Sequence, residues 1–279
     1  MILSLPQQRQ LSLQRCKLMG ILNVTPDSFS DGGRFIGQDA ALRQVAQMLQ
    51  DGADIIDVGG ESTRPGATEV SLQQELDRVI PIIELIRREF DTVISIDTYK
   101  AQVMQQAIAA GADMINDVRA LQDEGAIAVA VSTGVPVCLM HMIGMPRSMQ
   151  SLAQYQQVTA EVFAFLQQRA DICIAAGIAP RQIIFDPGFG FAKDLQQNYQ
   201  LLAELDKLRA AGFPLLAGMS RKSMIGQLLD IGPSERLAGS IACATIAVIK
   251  GARIIRAHDV KETAHAIAVA EATMYGVSQ

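Results

Sequence analysis

The sequence predicts an α/β protein folded as a (β/α)8 TIM barrel, and three observations carry the prediction. Eight short apolar runs recur along the chain, a helix-like segment separates each from the next, and a polar or charged cluster follows each run. The runs are near-continuously apolar, as strands buried on both faces of a parallel sheet are. In such a barrel all strand C-termini open on one face, and chemistry is built there. At 279 residues the chain is close to the ~250 of one such barrel, which predicts a single domain with 1–16 as an N-terminal extension.

The first run, 18–22, leads into Asn23. Next, 55–58 precedes Gly59-Gly60-Glu61, 93–96 precedes Asp97, 114–115 precedes Asn116-Asp117, and 135–140 precedes His141. The last three, 183–185, 214–217 and 253–255, lead to Asp186, Ser220-Arg221-Lys222 and Arg256-Ala257-His258. Helical patterns fall at 39–51, 71–89, 100–110, 122–132, 151–176, 194–210, 222–250 (broken at Gly232-Pro233) and 259–275. Ser71 and Gln74 have the spacing of a capping box before the second helix. Glycine stands where several helices should close, at 52, 111, 177, 212 and 251. The connections 24–37 and 59–70 exceed the ~2–6 residues of an ordinary strand-to-helix turn, and their Gly, Pro, Ser, Thr and Asp content predicts lids over the catalytic rim.

A net charge of -5 argues against a nucleic-acid groove or a polybasic membrane patch, so the expected partner is a small molecule. Cys16, Cys138, Cys173 and Cys243 are far apart in apolar surroundings, as buried reduced thiols of a cytoplasmic protein would be. Nowhere does the chain sustain the ~18 apolar residues of a membrane span.

The seventh and eighth strand ends deliver cations: Arg221 and Lys222 from one, Arg256 and His258 from the other. Barrels of this type often bind phosphate there, and Ser220 is placed to cap the following helix; a merely solvated basic rim is the alternative. The third and sixth strand ends supply Asp97 and Asp186, and the fourth supplies Asn116. Ionised carboxylates only accept, so they suit a ligand rich in N–H donors; acid/base work or pairing with Lys222 and Arg256 are the competing explanations. The segment from Phe185 to Phe191 offers glycine freedom and aromatic walls, and Met140 a soft surface, for a flat ring. His141, His258 and His265 lack the spacing of a protein zinc site, and Gly188-Phe189-Gly190 is not a dinucleotide fingerprint.

Longer motifs narrow the reading. MGILNVTPDSFSDGG at 19–33, GADIIDVGGESTRPGA at 52–67, SIDTYK at 95–100, INDV at 115–118, FDPGFGFAK at 185–193, SRKS at 220–223 and RAHDV at 256–260 together resemble the dihydropteroate synthases, the pterin-binding TIM barrels. The resemblance implies condensation of (7,8-dihydropterin-6-yl)methyl diphosphate with 4-aminobenzoate, a transferase step of folate biosynthesis, by an SN1-like route. It also implies site roles. Asp97, Asn116, Asp186, Lys222, Met140 and Arg256 bind the pterin, while Asn23, Thr63, Arg256, Ala257 and His258 hold diphosphate, with Mg²⁺ on Asn23. Phe29, Thr63, Pro65, Phe191 and Ser223 form the aminobenzoate pocket, and Asp31 and Arg64 join Asp97, Lys222 and Arg256 in catalysis as the loops close. It further implies a homodimer and competition by sulfonamides. The alternatives are a methyltetrahydrofolate-binding domain serving corrinoid methyl transfer and an aldolase-like enzyme with Lys222 as a Schiff-base amine.

Overall fold

Strand residues alternate their facing, so a strand between barrel interior and helix layer needs apolar groups on both sides. The computed structural model describes residues 1–24, 33–62, 69–144 and 153–277, without the side chains of 33–36. A short antiparallel hairpin, β1 (Ile2–Ser4) and β2 (Gln10–Ser12), precedes the barrel. The barrel strands are β3 (Lys17–Asn23), β4 (Ile55–Gly59), β5 (Val93–Asp97), β6 (Met114–Asp117), β7 (Val137–Met140), β8 (Ile183–Asp186), β9 (Leu216–Ala217) and β10 (Ile254–Ala257). All neighbouring pairs among them are parallel, in the order β8-β7-β6-β5-β4-β3-β10-β9, and a Phe185–Leu215 bridge closes β8 on β9. The fold is the TIM barrel that the pattern of runs predicts.

The surrounding helices are α1 (Gly33–Gln50), α2 (Leu72–Glu89), α3 (Ala101–Ala110), α4 (Ala126–Thr133), α5 (Val158–Ala175), α6 (Leu195–Ala203), α7 (Ser223–Leu229), α8 (Leu237–Ile249) and α9 (Val260–Tyr275). Ser71 accepts from the Gln74 N–H and Gln74 reaches back, completing the expected capping box on α2. The break at Gly232-Pro233 is present, with a single 3-10 turn over Pro233–Glu235 between α7 and α8. Boundaries moved elsewhere. The first helix begins at Gly33, so the first long connection is shorter than 24–37. The helix expected over 194–210 ends at Ala203 and tightens into a 3-10 turn over Leu205–Ala211. Only Leu216–Ala217 of the seventh run joins the ladder as a strand, because Pro214 has no N–H to donate, although its carbonyl still accepts from Phe185 at 2.9 Å.

Facing explains the composition of the runs. Leu18, Leu22, Ile56, Val58, Ile94, Ile96, Ile115, Val137, Leu139, Phe185 and Ile255 belong to the large core shared with the helices. The alternate residues Met19, Ile55, Val93, Met114, Cys138, Ile184, Leu216 and Ile254, one from each strand, form a separate inner layer with Leu3, Leu5, Leu11 and Leu13. The segment read as an extension is therefore the plug of the barrel's N-terminal end. Gln182 staples it, accepting from Ser4 N at 2.9 Å and donating to Ser4 O at 2.7 Å. All four cysteines are buried and unpaired. Among the described residues no helix is long and apolar enough to cross a membrane.

Candidate active site

Two residues beyond the inner apolar layer, five of the eight strands turn polar and β7 carries Met140. Ile55 is followed at that spacing by Asp57, Met114 by Asn116, Cys138 by Met140, Ile184 by Asp186 and Ile254 by Arg256; β5 carries Ser95 and then Asp97. The period of the strand thus brings Asp57, Asp97, Asn116, Met140, Asp186 and Arg256 to one mouth.

Arg256 is the hub. Its Nε donates to Asp57 Oδ2 at 2.6 Å and its Nη2 to Asp97 Oδ2 at 2.7 Å. Asn116 Nδ2 donates to the same Asp57 oxygen at 3.1 Å, while Asp57 Oδ1 is buried with no hydrogen-bond partner among the described residues. Asp57 is wholly buried. One guanidinium cannot neutralise two carboxylates: burial, aided by the Asp57 charge and opposed by Arg256, pushes Asp97 up to about 7. Burial disfavours the Arg256 charge as well, but Asp57 and Asp97 outweigh it and hold the guanidinium above its usual value. On the far side, Asp186 Oδ1 accepts from the Gly188 N–H at 2.7 Å, and burial raises this carboxyl against the pull of Lys222.

Lys222 ends the β9 connection with its Nζ 2.5 Å from the Phe189 carbonyl oxygen and 4.7 Å from the centre of the Phe191 ring. Burial, with Arg256 adding repulsion, lowers it to about 8 despite Asp186. Met140 packs with Val118, Met142 and Ala192, against which Tyr99, Ile143 and Phe191 lie half-buried. This small cluster is separate from the main core and gathers Met140 and Phe191 on one apolar surface. Of the other aromatics in the Phe185–Phe191 segment, Phe185 and Phe189 are wholly buried in the helix-side core, and Phe189 turns its carbonyl to Lys222.

The expected cation cluster is only partly assembled. Arg221 turns outward, its guanidinium paired through Nε at 2.9 Å and through Nη2 with the Asp259 carboxylate. Ser220 does not cap α7, whose N-cap is Lys222 with no side-chain bond; its Oγ accepts from His258 N and faces His258 Nδ1, both at 3.1 Å. Ala257 packs its methyl into the helix-side core, and Ser223 stands exposed as the first residue of α7. Asp117, read beside Asn116, faces away from the mouth, accepting from the N–H groups of Arg119 and Leu121 at 2.7 and 2.8 Å. Phe29, Asp31, Thr63, Arg64 and Pro65 lie outside the described residues.

Among the described residues no group of three or more His, Cys, Asp or Glu side chains is arranged to hold a metal ion. Two oxygens nonetheless border the space beside Gly59: a Cβ placed there would lie 3.6 Å from Asp97 Cβ, 3.7 Å from Asp97 Oδ2 and 3.9 Å from Asn23 Oδ1. Such a sparse oxygen set fits Mg²⁺, which usually takes one or two protein ligands and completes its shell with water and substrate phosphate.

Asp57 escaped the sequence reading because it lies inside an apolar run rather than after it. The signal was present: an ionisable residue in a doubly buried strand is rare unless it is paired or functional. Taken together, the mouth presents carboxylate and amide acceptors around an apolar wall, with cations along one edge. It suits a planar ring bearing N–H donors and an anionic substituent.

Comparison with known proteins agrees with this geometry. The family profile described as pterin binding enzyme matches residues 19–258. A dihydropteroate synthase of Escherichia coli K12 is 54% identical over 268 residues, covering 96% of this chain and 95% of its own length. The crystal structure of Yersinia pestis dihydropteroate synthase in complex with a sulfonamide drug superposes with a TM-score of 0.93 at 53% identity, covering 98% of this chain and 99% of the other. The 7,8-dihydropteroate synthase from Vibrio fischeri ES114 is 57% identical with a TM-score of 0.89, each chain fully covered.

Proposed function

The chain belongs to the dihydropteroate synthase family of pterin-binding enzymes, and on that premise we propose that its mouth joins (7,8-dihydropterin-6-yl)methyl diphosphate to 4-aminobenzoate, releasing diphosphate and 7,8-dihydropteroate. The observation that carries the reading is the surplus of acceptors at the mouth. Asp57 and Asp97 share one guanidinium, Asp57 Oδ1 has no partner among the described residues, Asn116 stands beside the pair, and Asp186 lies across the barrel on β8. A pterin edge with its amino and ring N–H groups supplies the donors such a site lacks.

Asp186 and Asn116 accept from those groups, and Lys222 donates to the ring oxygen and nitrogen. An ammonium has three donors, so Lys222 keeps the Phe189 carbonyl and still has two for the ring. Met140 and Arg256 cover the ring faces. Asn23, Ala257 and His258 lie at the ends of β3 and β10, on the side where the diphosphate leaves. Asn23 would hold Mg²⁺ there, and the ion would supply positive charge to the departing phosphate oxygens.

The substitution is dissociative. Negative charge grows on the diphosphate as the C–O bond breaks, and the methylene carbon becomes cationic in conjugation with the electron-rich pterin. Asp97, when ionised, stabilises that cation through space. The aminobenzoate amine then attacks, and no covalent enzyme intermediate is needed. Phe191 and Ser223 line the aminobenzoate side, which sulfonamides, as aminobenzoate mimics, occupy in competition.

Incubating the protein with the pterin diphosphate, Mg²⁺ and labelled aminobenzoate produces labelled dihydropteroate; folded protein that makes none overturns the reading. Omitting aminobenzoate tests the route, since diphosphate release without it supports dissociation and strict dependence on it counts against. The protein is a cytoplasmic homodimer, a reading supported by the unpaired cysteines and by exposed Leu237, Ile246, Ile249 and Val269 on α8 and α9. Sedimentation at micromolar concentration, returning the mass of a monomer, overturns the dimer.

A further inference from the structure

We propose that Lys193 is a positioning residue for the pterin site: its buried ammonium holds the backbone of residues 187–191 in the shape that sets the Phe189 carbonyl and the Phe191 ring against Lys222. The proposal rests on the pterin reading above and deepens it. Lys193 is 3% exposed, and the polar partners of its Nζ among the described residues are the carbonyls of Gly188 and Phe191 and the His141 ring.

The segment leaving β8 is tightly folded. Gly188 and Gly190 take φ of 69° and 78°, and a Cβ on Gly188 would fall 2.0 Å from the His141 carbonyl oxygen, so the segment lies directly on the end of β7. Its polar backbone groups are held from several sides. Asp186 and Asn198 accept from the N–H groups of Gly188 and Gly190, each at 2.7 Å. Lys193 Nζ donates to the carbonyls of Gly188 and Phe191, each at 2.9 Å, and Lys222 Nζ takes the Phe189 carbonyl between them. Two lysines therefore grip consecutive carbonyls, one from beneath the segment and one from the mouth.

Lysine chemistry suits the lower position. An ammonium offers three donors, and the third meets His141 Nδ1 at 3.0 Å. His141 is buried, packed edge-on to Phe165 at 4.9 Å, and burial together with the Lys193 charge depresses it to about 2. The imidazole is thus neutral and able to accept. Burial lowers Lys193 to about 7, opposed by Asp186. Carrying a cation so far from water is costly, and the return is a segment whose carbonyls have fixed directions. Because Phe191 lies 4.7 Å below Lys222 Nζ, any shift of this segment moves the Lys222 acceptor and the pterin wall together.

Lys193→Met keeps length and apolar stem while removing the donors. Binding of 6-hydroxymethylpterin, which lacks the leaving group, is measured by calorimetry beside binding of inorganic diphosphate with Mg²⁺. Lys193→Met weakens the pterin about tenfold. The diphosphate changes by less than about twofold, and in a Lys222→Met background the same substitution adds less than about twofold to the pterin loss. Lys193→Gln, which keeps two N–H donors, loses less than Lys193→Met and carries the same cycle where the methionine variant does not fold. Unchanged pterin affinity, an equal loss for diphosphate, or full additivity with Lys222→Met overturns the positioning role. Failure of the wild-type protein to bind the pterin overturns the site reading itself, and this proposal with it.

Discussion

At the mouth of the barrel one guanidinium is shared by two carboxylates; at the plugged end one carboxylate is shared by two guanidiniums. Asp113, just ahead of β6, pairs through Oδ1 with Arg9 of the hairpin and through Oδ2 with Arg87 at 2.5 Å, and Oδ2 also accepts from Ile94 N at 2.9 Å. Both of its oxygens are used, and the arginines spend further N–H groups on the carbonyls of Thr92 and Gly111. Asp57 at the mouth is equally buried, yet its Oδ1 has no partner among the described residues and its neighbour Asp97 is pushed up to about 7. The same ingredients thus make a closed staple at one end and an open acceptor array at the other. Unspent hydrogen-bonding capacity marks the end that binds.

The largest way to break this contrast is Arg256→Met. Asp57 and Asp97 are then left buried without their cation, and stability at pH 8 should fall by about 3–5 kcal/mol while turnover disappears. Denaturant melts at pH 8 and pH 5 check it, because protonating Asp97 on acidification relieves part of the repulsion and narrows the deficit. The matching change at the closed end is Asp113→Asn. Arg9 and Arg87 are about a quarter exposed, so their uncompensated charges cost less, about 2–3 kcal/mol. Its kinetic constants should stay at wild-type values at a temperature where the variant is folded. A loss of turnover there would mean that the closed end is coupled to the mouth and the division by end is wrong.

The mouth was more legible in the sequence than the plug. Asn116, Asp186 and Arg256 each end an apolar run, and a polar group ending a buried parallel strand has few places to point except the rim. Asp57 was hidden because its neighbours Ile56 and Val58 face the helices while it faces inward, so a run judged by mean apolarity conceals it. Strict alternation was the missed signal in the hairpin, where Leu3 and Leu5, then Leu11 and Leu13, point inward between polar or exposed partners. The four cations at adjacent strand ends were legible as residues and not as directions. Arg221 adopts φ of 56°, its N–H bonds Ser240 Oγ at 2.9 Å, and Arg236 holds its carbonyl at 3.1 Å, a turn set by α8 rather than by local sequence.

A finer probe of the open end is Asp97→Asn, and the sign of its effect depends on pH. The Asp97 carboxyl rises from 3.8 to about 7 on folding, so between those values the folded state holds more protons than the unfolded one. Wild-type stability from this group is therefore full below about 4 and is lost as pH rises through about 7. Asparagine does not titrate. It removes one of two like charges from the mouth, but also takes from Arg256 one of its partners, so the net gain at pH 8 should be small, of the order of 1 kcal/mol. Below pH 4 the gain should vanish, since wild-type Asp97 is then protonated both folded and unfolded. Turnover should fall throughout, because the charge that strains the free protein is the one placed to stabilise the methylene cation. A variant less stable than wild type at pH 8 would show that Arg256 fully satisfies both carboxylates, and that the two ends of the barrel differ less than their hydrogen bonds indicate.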